Sequence, residues 1–255
     1  MMGEMRRFST VDLHGRSLGD EGATYISEAL AFNDCATCID FGANGIGEVG
    51  VAAICEALKN NKALEMLSLA SNNLGDAATT VLAEYLKGDT TITTLNLNSS
   101  SIGDEGAVAL AEMLKVNTTL TALELNNNNI DYEGTCALAK ALAVNSTLET
   151  FSISGNYVGG MGASALANGL RQNTGVKGLQ LNGNDIGNLG IEPLCKALSE
   201  RTTKLTNLDV GNNGIGFEAG PHIAAYIKVD PQPSNLEQEP EFLKPTMTLT
   251  LNPKP

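Results

Sequence analysis

The chain has 255 residues, of which 42% are hydrophobic and only 4% aromatic, and its formal net charge is −13. The apolar fraction is too high for wholesale disorder, and the scarcity of aromatic residues predicts a core of Leu, Ile, Val and Ala. The acidic balance argues against binding to nucleic acid or to anionic membranes, because both need clustered Lys and Arg.

The first residues, Met1 to Arg7, contain no apolar run of the kind that directs secretion. No later segment approaches the roughly 18–20 consecutive apolar residues of a membrane helix, so membrane insertion is not expected. Five cysteines, an odd number, in a chain this long do not indicate a disulfide framework. Together these features predict a cytoplasmic protein in a reducing compartment.

A pattern of apolar residues recurs along most of the chain. Its third copy reads Leu64-x-x-Leu67-x-Leu69-x-x-Asn72-x-Leu74. The position of Leu69 recurs every 28 residues, with one final step of 29, at Leu13, Phe41, Leu69, Leu97, Leu125, Ile153, Leu181 and Val210. The position of Asn72 is filled in turn by Arg16, Asn44, Asn72, Ser100, Asn128, Asn156, Asn184 and Asn213. Regular self-similarity of this length predicts a repeat architecture.

Each copy predicts one short β-strand followed by one α-helix. The Leu-x-Leu segment alternates with period two, as in a strand with one buried face. The second half has helical spacing, and in the fourth copy Val108, Leu110, Ala111 and Leu114 are expected to form the apolar stripe. One such unit cannot bury its own apolar face, so the stacked array is the predicted folding unit.

Stacking predicts a curved solenoid, because adjacent strands lie about 4.8 Å apart and packed helices about 8–10 Å apart. The parallel β-sheet is expected on the concave side and the α-helices on the convex side. The recurring Asn is expected to bond buried backbone groups at each turn, which makes Ser100 a predicted weak point. Asp76 and Asp104 are expected to cap the helices that they begin.

This pattern resembles the leucine-rich repeat family, and within it the ribonuclease-inhibitor-like class with 28-residue units. The resemblance covers about residues 8–230 in eight repeats and implies an α/β leucine-rich-repeat solenoid. We expect residues 1–230 to form this domain, with an atypical first repeat as its N-terminal cap, and residues 231–255 to form a Pro-rich C-terminal segment. Residues 246–252 alternate like a strand, which favours a capping strand beside the eighth repeat, although a disordered tail is the alternative.

The sequence predicts no catalytic, cofactor-binding or metal-binding residues. A phosphate-binding glycine loop is missing, and His14 and His222 lie some seven repeats apart. Cys35-x-x-Cys38 has a metal-like spacing but no second pair to complete four ligands. Cys55 occupies a helix column that otherwise holds alanines, which indicates a small buried side chain. We therefore expect a protein that is not an enzyme and that needs no cofactor.

Two surfaces are candidates for binding a protein partner. The concave face is polar and mildly acidic, which favours a partner with a basic segment, and its candidate residues are Asp12, Asp40, Asn98, Glu124, Asn126 and Asp209. The edge where the helices start changes halfway from acidic to aromatic or neutral, and its candidate contact residues are Tyr132, Tyr157 and Phe217. The alternatives are a merely solvated face and local packing of the aromatic rings.

The family resemblance implies a binding module. It favours a non-catalytic scaffold for protein partners, such as a component of a cytoskeletal or ciliary (axonemal) assembly. One alternative is a GTPase-activating protein of the Ran-regulator type, although this tail carries only Glu237, Glu239 and Glu241 in place of a strongly acidic one. Another alternative is a stand-alone inhibitor of a basic enzyme, which would also suit the acidic charge.

Overall fold

Each copy of the pattern folds as one strand and one helix in the computed structural model, which describes residues 9–203, 205–229 and 248–250. The strands are β1 (Thr10–Asp12), β2 (Cys38–Asp40), β3 (Met66–Ser68), β4 (Thr94–Asn96), β5 (Ala122–Glu124), β6 (Thr150–Ser152), β7 (Gly178–Gln180), β8 (Asn207–Asp209) and β9 (Thr248–Thr250). The helices are α1 (Gly19–Leu30), α2 (Glu48–Leu58), α3 (Gly75–Leu86), α4 (Asp104–Leu114), α5 (Tyr132–Leu142), α6 (Gly159–Leu170), α7 (Gly187–Glu200) and α8 (Gly220–Val229), the last preceded by a 3-10 turn at Phe217–Ala219.

The strands of the described residues form one parallel sheet in the order in which they occur along the chain. The register is one repeat per strand, so that Leu67 pairs with Leu95 and Leu95 with Leu123. The predicted α/β solenoid, with its sheet on the concave side and helices on the convex side, is therefore confirmed.

A ninth strand lies within the segment that resembles a strand in the sequence. Thr248–Thr250 pairs in parallel with β8 and ends the sheet. The connection 231–245 and residues 251–255 lie outside the described residues. The division of the chain at residue 230 therefore stays a prediction.

The apolar stripe predicted for the fourth helix needs one correction. Val108 is 41% exposed, whereas Ala107, Leu110, Ala111 and Leu114 are fully buried. The buried set follows the spacing i, i+3, i+4 and i+7, which places all four on one face of α4. Val108 is one residue further on from Ala107, and the helical rotation of about 100° per residue turns it out of that face.

The recurring Asn side chains form a continuous ladder between repeats. The Oδ1 of Asn128 accepts hydrogen bonds from the backbone N–H groups of Ser100 and Ile102, both at 3.0 Å. Its Nδ2 donates to the carbonyl oxygens of Leu97 at 2.9 Å and Leu125 at 3.0 Å. This turn ladder consists of Asn44, Asn72, Ser100, Asn128, Asn156, Asn184 and Asn213. It satisfies buried backbone groups that the strands leave unpaired.

Ser100 makes fewer bonds than its neighbours in the turn ladder. Its Oγ donates to the carbonyl oxygens of Leu69 at 3.3 Å and Asn98 at 3.2 Å. In the neighbouring repeats, an Asn Oδ1 of the turn ladder accepts hydrogen bonds from two backbone N–H groups of the preceding repeat. Among the described residues, Ser100 accepts neither of the equivalent bonds, which would come from the N–H groups of Asn72 and Leu74. The serine hydroxyl is too short to bridge both sets of groups.

We expect Ser100→Asn to raise the free energy of unfolding by about 1 kcal/mol, because it restores the two missing acceptor bonds. Equilibrium unfolding in urea measures the change. The reciprocal variant Asn128→Ser is the control and should lower the stability by at least as much. A loss of stability in Ser100→Asn would contradict this interpretation of the ladder.

A second ladder, which the sequence pattern did not predict, lies where each helix returns to the next strand. Asn117 donates to the carbonyl oxygen of Leu86 at 2.7 Å and accepts from the N–H groups of Thr119 and Leu120 at 2.9 and 2.8 Å. The same place is filled in turn by Asn33, Asn61, Asp89, Asn117, Asn145, Asn173 and Arg201. This return ladder links the repeats on the edge opposite the turn ladder.

Three aspartates at helix starts, Asp20, Asp76 and Asp104, cap the following helix and not their own. The Oδ1 of Asp76, the second residue of α3, accepts from the N–H groups of Gly103 at 2.7 Å and Gly106 at 2.9 Å, at the start of α4. Asp104 bonds the N–H of Asp131 at 2.8 Å and of Gly134 at 3.0 Å in the same way. The expectation that these residues cap their own helices is therefore wrong, because both already lie inside the helical turn.

The cap in one repeat determines how the next repeat begins. Where the capping position lacks a short acceptor, as at Glu48 and Tyr132, the next helix starts with a glycine of positive φ, Gly75 (57°) or Gly159 (62°). That conformation turns the glycine N–H toward the carbonyl oxygen of the following repeat, as from Gly75 to Ser100 at 3.1 Å. A repeat thus begins either with a borrowed side-chain cap or with a left-handed glycine.

Candidate protein-binding surfaces

The concave face presents three columns of side chains. Two follow the predicted positions on either side of the buried residue of each repeat, such as Ser68 and Ala70 around Leu69. Because side chains alternate along a strand, a third column shares this face. It contains Thr10, Cys38, Met66, Thr94, Ala122, Thr150, Gly178 and Asn207. The repeat pattern around the Leu69 position does not predict this column.

Asp12 and Asp40 lie side by side at the N-terminal end of the concave face. They are direct partners in the register of β1 and β2. His14 Nδ1 lies 3.5 Å from Asp40 Oδ2, and both side chains are exposed to solvent. Each carboxylate also accepts a backbone N–H two residues further on, from His14 and from Gly42. Two adjacent carboxylates therefore give this end of the face a negative potential.

Asn98, Glu124 and Asn126 come together in the middle of the concave face. Asn98 Nδ2 donates to Glu124 Oε2 at 2.7 Å, and Asn98 Oδ1 accepts from the N–H of Asn126 at 2.7 Å. Asn126 Oδ1 in turn accepts from the N–H of Ser154 at 2.7 Å. These three predicted residues therefore have an internal structural role, and only part of their hydrogen-bonding capacity faces solvent.

Asp209 lies at the far end of the concave face, separated by several repeats from Asp12 and Asp40. Its Oδ1 accepts from the N–H of Gly211 at 2.9 Å and lies 3.5 Å from Asn182 Nδ2. The predicted acidic residues are thus spread along the whole face. They form an extended charged surface and not a single converging site.

The predicted aromatic residues are exposed on the edge where the helices start. Tyr157 is 63% and Phe217 89% exposed, and Tyr132 is also exposed. A hydrogen bond with Cys136 raises the pKa of Tyr132. The structure adds Met161 and Leu189 to this edge, both well exposed. Met161 and Leu189 occupy the same position in successive repeats. Other repeats have Glu21, Val49 and Glu105 at this position, so the sequence alone does not indicate an apolar surface there.

The negative charge of the described residues is unevenly distributed over the solenoid. We define the acidic strip as the segments from each strand to the following helix start, residues 10–22, 38–50, 66–78, 94–106, 122–134, 150–162, 178–190 and 207–219. Within these described segments Arg16 is the only Lys or Arg. The acidic residues there are Asp12, Asp20, Glu21, Asp40, Glu48, Asp76, Asp104, Glu105, Glu124, Asp131, Glu133, Asp185, Asp209 and Glu218.

The basic residues of repeats 2–8 lie toward the helix ends, where acids neutralise several of them. Three lysines pair with a glutamate one helical turn earlier at 2.5–2.6 Å, namely Lys59, Lys87 and Lys115. Lys177 pairs with Glu149 of the preceding repeat at 2.6 Å. The unbalanced charge of the described residues is therefore concentrated on the acidic strip.

The convex side carries a groove between α2 and α3. It has a volume of about 880 Å³, and its apolar lining includes Ala52, Cys55 and Val81. Tyr85 also lines the groove, and its hydroxyl donates to Asp89 Oδ2 at 2.7 Å. Burial and the bond to Asp89 raise the pKa of Tyr85.

The two buried cysteines, Cys55 and Cys195, show no sign of activation. Burial raises the pKa of the Cys55 thiol to about 12 and that of Cys195 to about 11. Both thiols are therefore protonated and pack as small apolar groups, as their column predicts. Among the described residues, no group of three or more His, Cys, Asp or Glu could hold a metal ion. Nor does any helix in the described ranges have the length and apolarity that a bilayer crossing requires.

The solenoid and its long open surfaces define a repeat protein of the kind that stacks strand–helix units around a continuous core. A family model described as Leucine Rich repeat matches residues 88–111, 116–139, 144–167 and 172–195. The repeats of the structure continue the same pattern on both sides of these matches. The chain therefore folds as a leucine-rich-repeat solenoid.

Three solved structures illustrate the similarity. A Bacteroides fragilis protein is 10% identical with a TM-score of 0.52, covering 88% of this chain and 64% of that one. Leiomodin-1 actin-binding site 2 is 24% identical with a TM-score of 0.41, covering 60% and 73%. The tropomodulin C-terminal domain of Caenorhabditis elegans is 16% identical with a TM-score of 0.42, covering 66% and 90%. No curated protein matches the chain in a sequence comparison.

Proposed function

We propose that this chain is a non-catalytic scaffold that binds a protein partner carrying a basic segment. The observation that supports this most directly is the composition of the acidic strip. Its described segments contain many carboxylates and only one basic Lys or Arg side chain, that of Arg16. Opposite charge on a partner would steer its approach and fix its orientation along the solenoid. Because these carboxylates are largely solvated, the binding would weaken as salt is added.

The position of the carboxylates supports binding along several repeats. Asp12 and Asp40 lie at one end of the concave face, Glu124 in the middle and Asp209 at the other end. An extended basic segment could contact all of these sites, whereas a small ligand could reach only one. The 28-residue period supports assignment to the ribonuclease-inhibitor-like class, and the resemblance to that class supports a partner in a cytoskeletal or ciliary assembly within the cytoplasm.

Two charge variants with the same net charge test this proposal. The first neutralises the concave face with Asp40→Asn, Glu124→Gln and Asp209→Asn, which retain side-chain oxygen acceptors. The second neutralises the convex side with Glu56→Gln, Glu84→Gln and Glu112→Gln. We expect the first variant to lose most of the salt-sensitive capture of partner proteins from a cell extract, and the second to retain it.

Quantitative mass spectrometry of the captured proteins at low and high ionic strength provides the measurement. Thermal unfolding of both variants checks that the fold is intact. Equal capture by the two variants would contradict a role for the concave carboxylates. Capture that is insensitive to salt would contradict the electrostatic basis of the proposal.

A further inference from the structure

Five apolar side chains cluster on the edge of repeats 5–8 where the helices start. We call them the apolar patch: Tyr132, Tyr157, Met161, Leu189 and Phe217. Leu189 is 86% and Phe217 89% exposed, so neither contributes appreciably to the core. Exposed apolar side chains that lie singly need no explanation, but a contiguous group marks an interaction site.

Contacts between adjacent repeats place the segments that carry the apolar patch next to one another. The N–H of Tyr157 donates to the carbonyl oxygen of Ile130, two residues before Tyr132, at 2.9 Å. A Cβ on Gly160, the neighbour of Met161, would lie 3.4 Å from the Cβ of Leu189. The side chain of Asn188, beside Leu189, accepts from the N–H of Gly216, beside Phe217, at 2.8 Å.

The local structure does not require an apolar residue at the position of Tyr132. Tyr132 occupies the column in which Asp20, Asp76 and Asp104 cap the next helix. The next helix here needs no such cap, because Gly159 begins it in the left-handed conformation. An apolar residue in that column therefore serves neither a cap nor the core, which points to a contact outside the chain.

The charges around the apolar patch determine which partner suits it. Asp131, Glu133, Asp185 and Glu218 lie on the same edge, and the described acidic strip in these repeats holds no Lys or Arg. A second copy of the chain meeting this surface face to face would bring carboxylates against carboxylates. A partner with positive charge around its apolar residues would gain both hydrophobic contact and charge complementarity.

We propose that the apolar patch docks a segment of a partner protein in which apolar side chains are flanked by Lys or Arg. This inference rests on the proposed scaffold function and adds the place and the chemistry of one contact. The aromatic rings and Met161 are residue types that commonly anchor interfaces, and the acidic rim supplies orientation.

Three peptides of equal length, labelled with a fluorophore, provide the test. The first combines Leu with Lys, the second combines Leu with Glu, and the third combines Ser with Lys. Fluorescence anisotropy measures their binding to the whole chain. The patch variant combines Tyr157→Ala, Leu189→Ser and Phe217→Ser. The control variant combines Tyr25→Ala, Phe32→Ser and Val144→Ser. It removes comparably exposed side chains from α1 and from the turns that follow α1 and α5.

We expect the Leu/Lys peptide to bind tightest and to lose about tenfold or more in affinity to the patch variant, with little change in the control variant. If the Ser/Lys peptide binds equally well, charge alone explains binding, and the patch proposal fails while the scaffold proposal stands. If neither Lys-containing peptide binds, the proposed basic partner fails as well. A concentration-dependent dimer that only the patch variant loses would show a second copy as the occupant and overturn this inference.

Discussion

Replacing Asn128 by alanine is expected to lower the free energy of unfolding by roughly 3–5 kcal/mol. The side chain is nearly fully buried and bonds backbone groups of Leu97, Ser100, Ile102 and Leu125 from two adjacent repeats. Alanine would leave these polar groups inside the solenoid without the Asn128 side chain as their partner. Each orphaned buried group costs about 1–3 kcal/mol, although the costs are not additive.

Urea unfolding followed by circular dichroism measures the loss in Asn128→Ala. Asn73→Ala is the matched control, because Asn73 lies in an equivalent turn but its side chain is exposed. The control should differ from the parent chain by no more than about 0.5 kcal/mol. Equal stabilities of the two variants would mean that the turn ladder contributes little to folding.

Gly169→Ala is expected to destabilise the chain by about 3 kcal/mol through overpacking. A Cβ at Gly169 in α6 would overlap the carbonyl oxygen of Ala139 in α5. That oxygen belongs to helix backbone, so relief requires the two helices to separate and their buried contacts to loosen. Alanine alone would favour a helix over glycine by about 1 kcal/mol, so a net loss identifies the clash.

Gly88→Ala is the control for Gly169→Ala. A Cβ at Gly88 has open space around it, and its φ is not in the left-handed region. This variant should therefore be neutral or slightly stabilising, because alanine restricts the unfolded chain. Thermal unfolding compares the two variants. A Gly169→Ala chain as stable as the parent would show that α5 and α6 can separate at little cost.

The repeat period made the fold predictable. The Leu69 column fixes the strand register, and every strand pairs one repeat further on. The return ladder was not predicted, because Asp89 and Arg201 interrupt its Asn column. The direction of the caps was also missed. Helical spacing places Asp76 at a helix start, but only the stacking geometry shows that its carboxylate reaches the next repeat.

The candidate binding residues were only partly predictable. Exposed aromatic residues such as Tyr157 stand out in columns that otherwise hold small or polar side chains. Leu189 does not stand out, because leucine is the commonest core residue of this chain and only the structure shows that this one is exposed. The internal bonding of Asn98 with Glu124 likewise depends on the spacing of neighbouring strands and carries no sequence signature.

The borrowed helix caps limit how an array of this kind can gain or lose units. Loss of the fourth repeat would bring Asp76 beside the extended start at Asp131, a compatible junction. Loss of the third would bring Glu48 beside Gly103, which needs a short acceptor that glutamate does not place there. The smallest segment that can be inserted or deleted is therefore defined by its junctions, where half of one repeat meets half of the next. The 28-residue period alone does not define it.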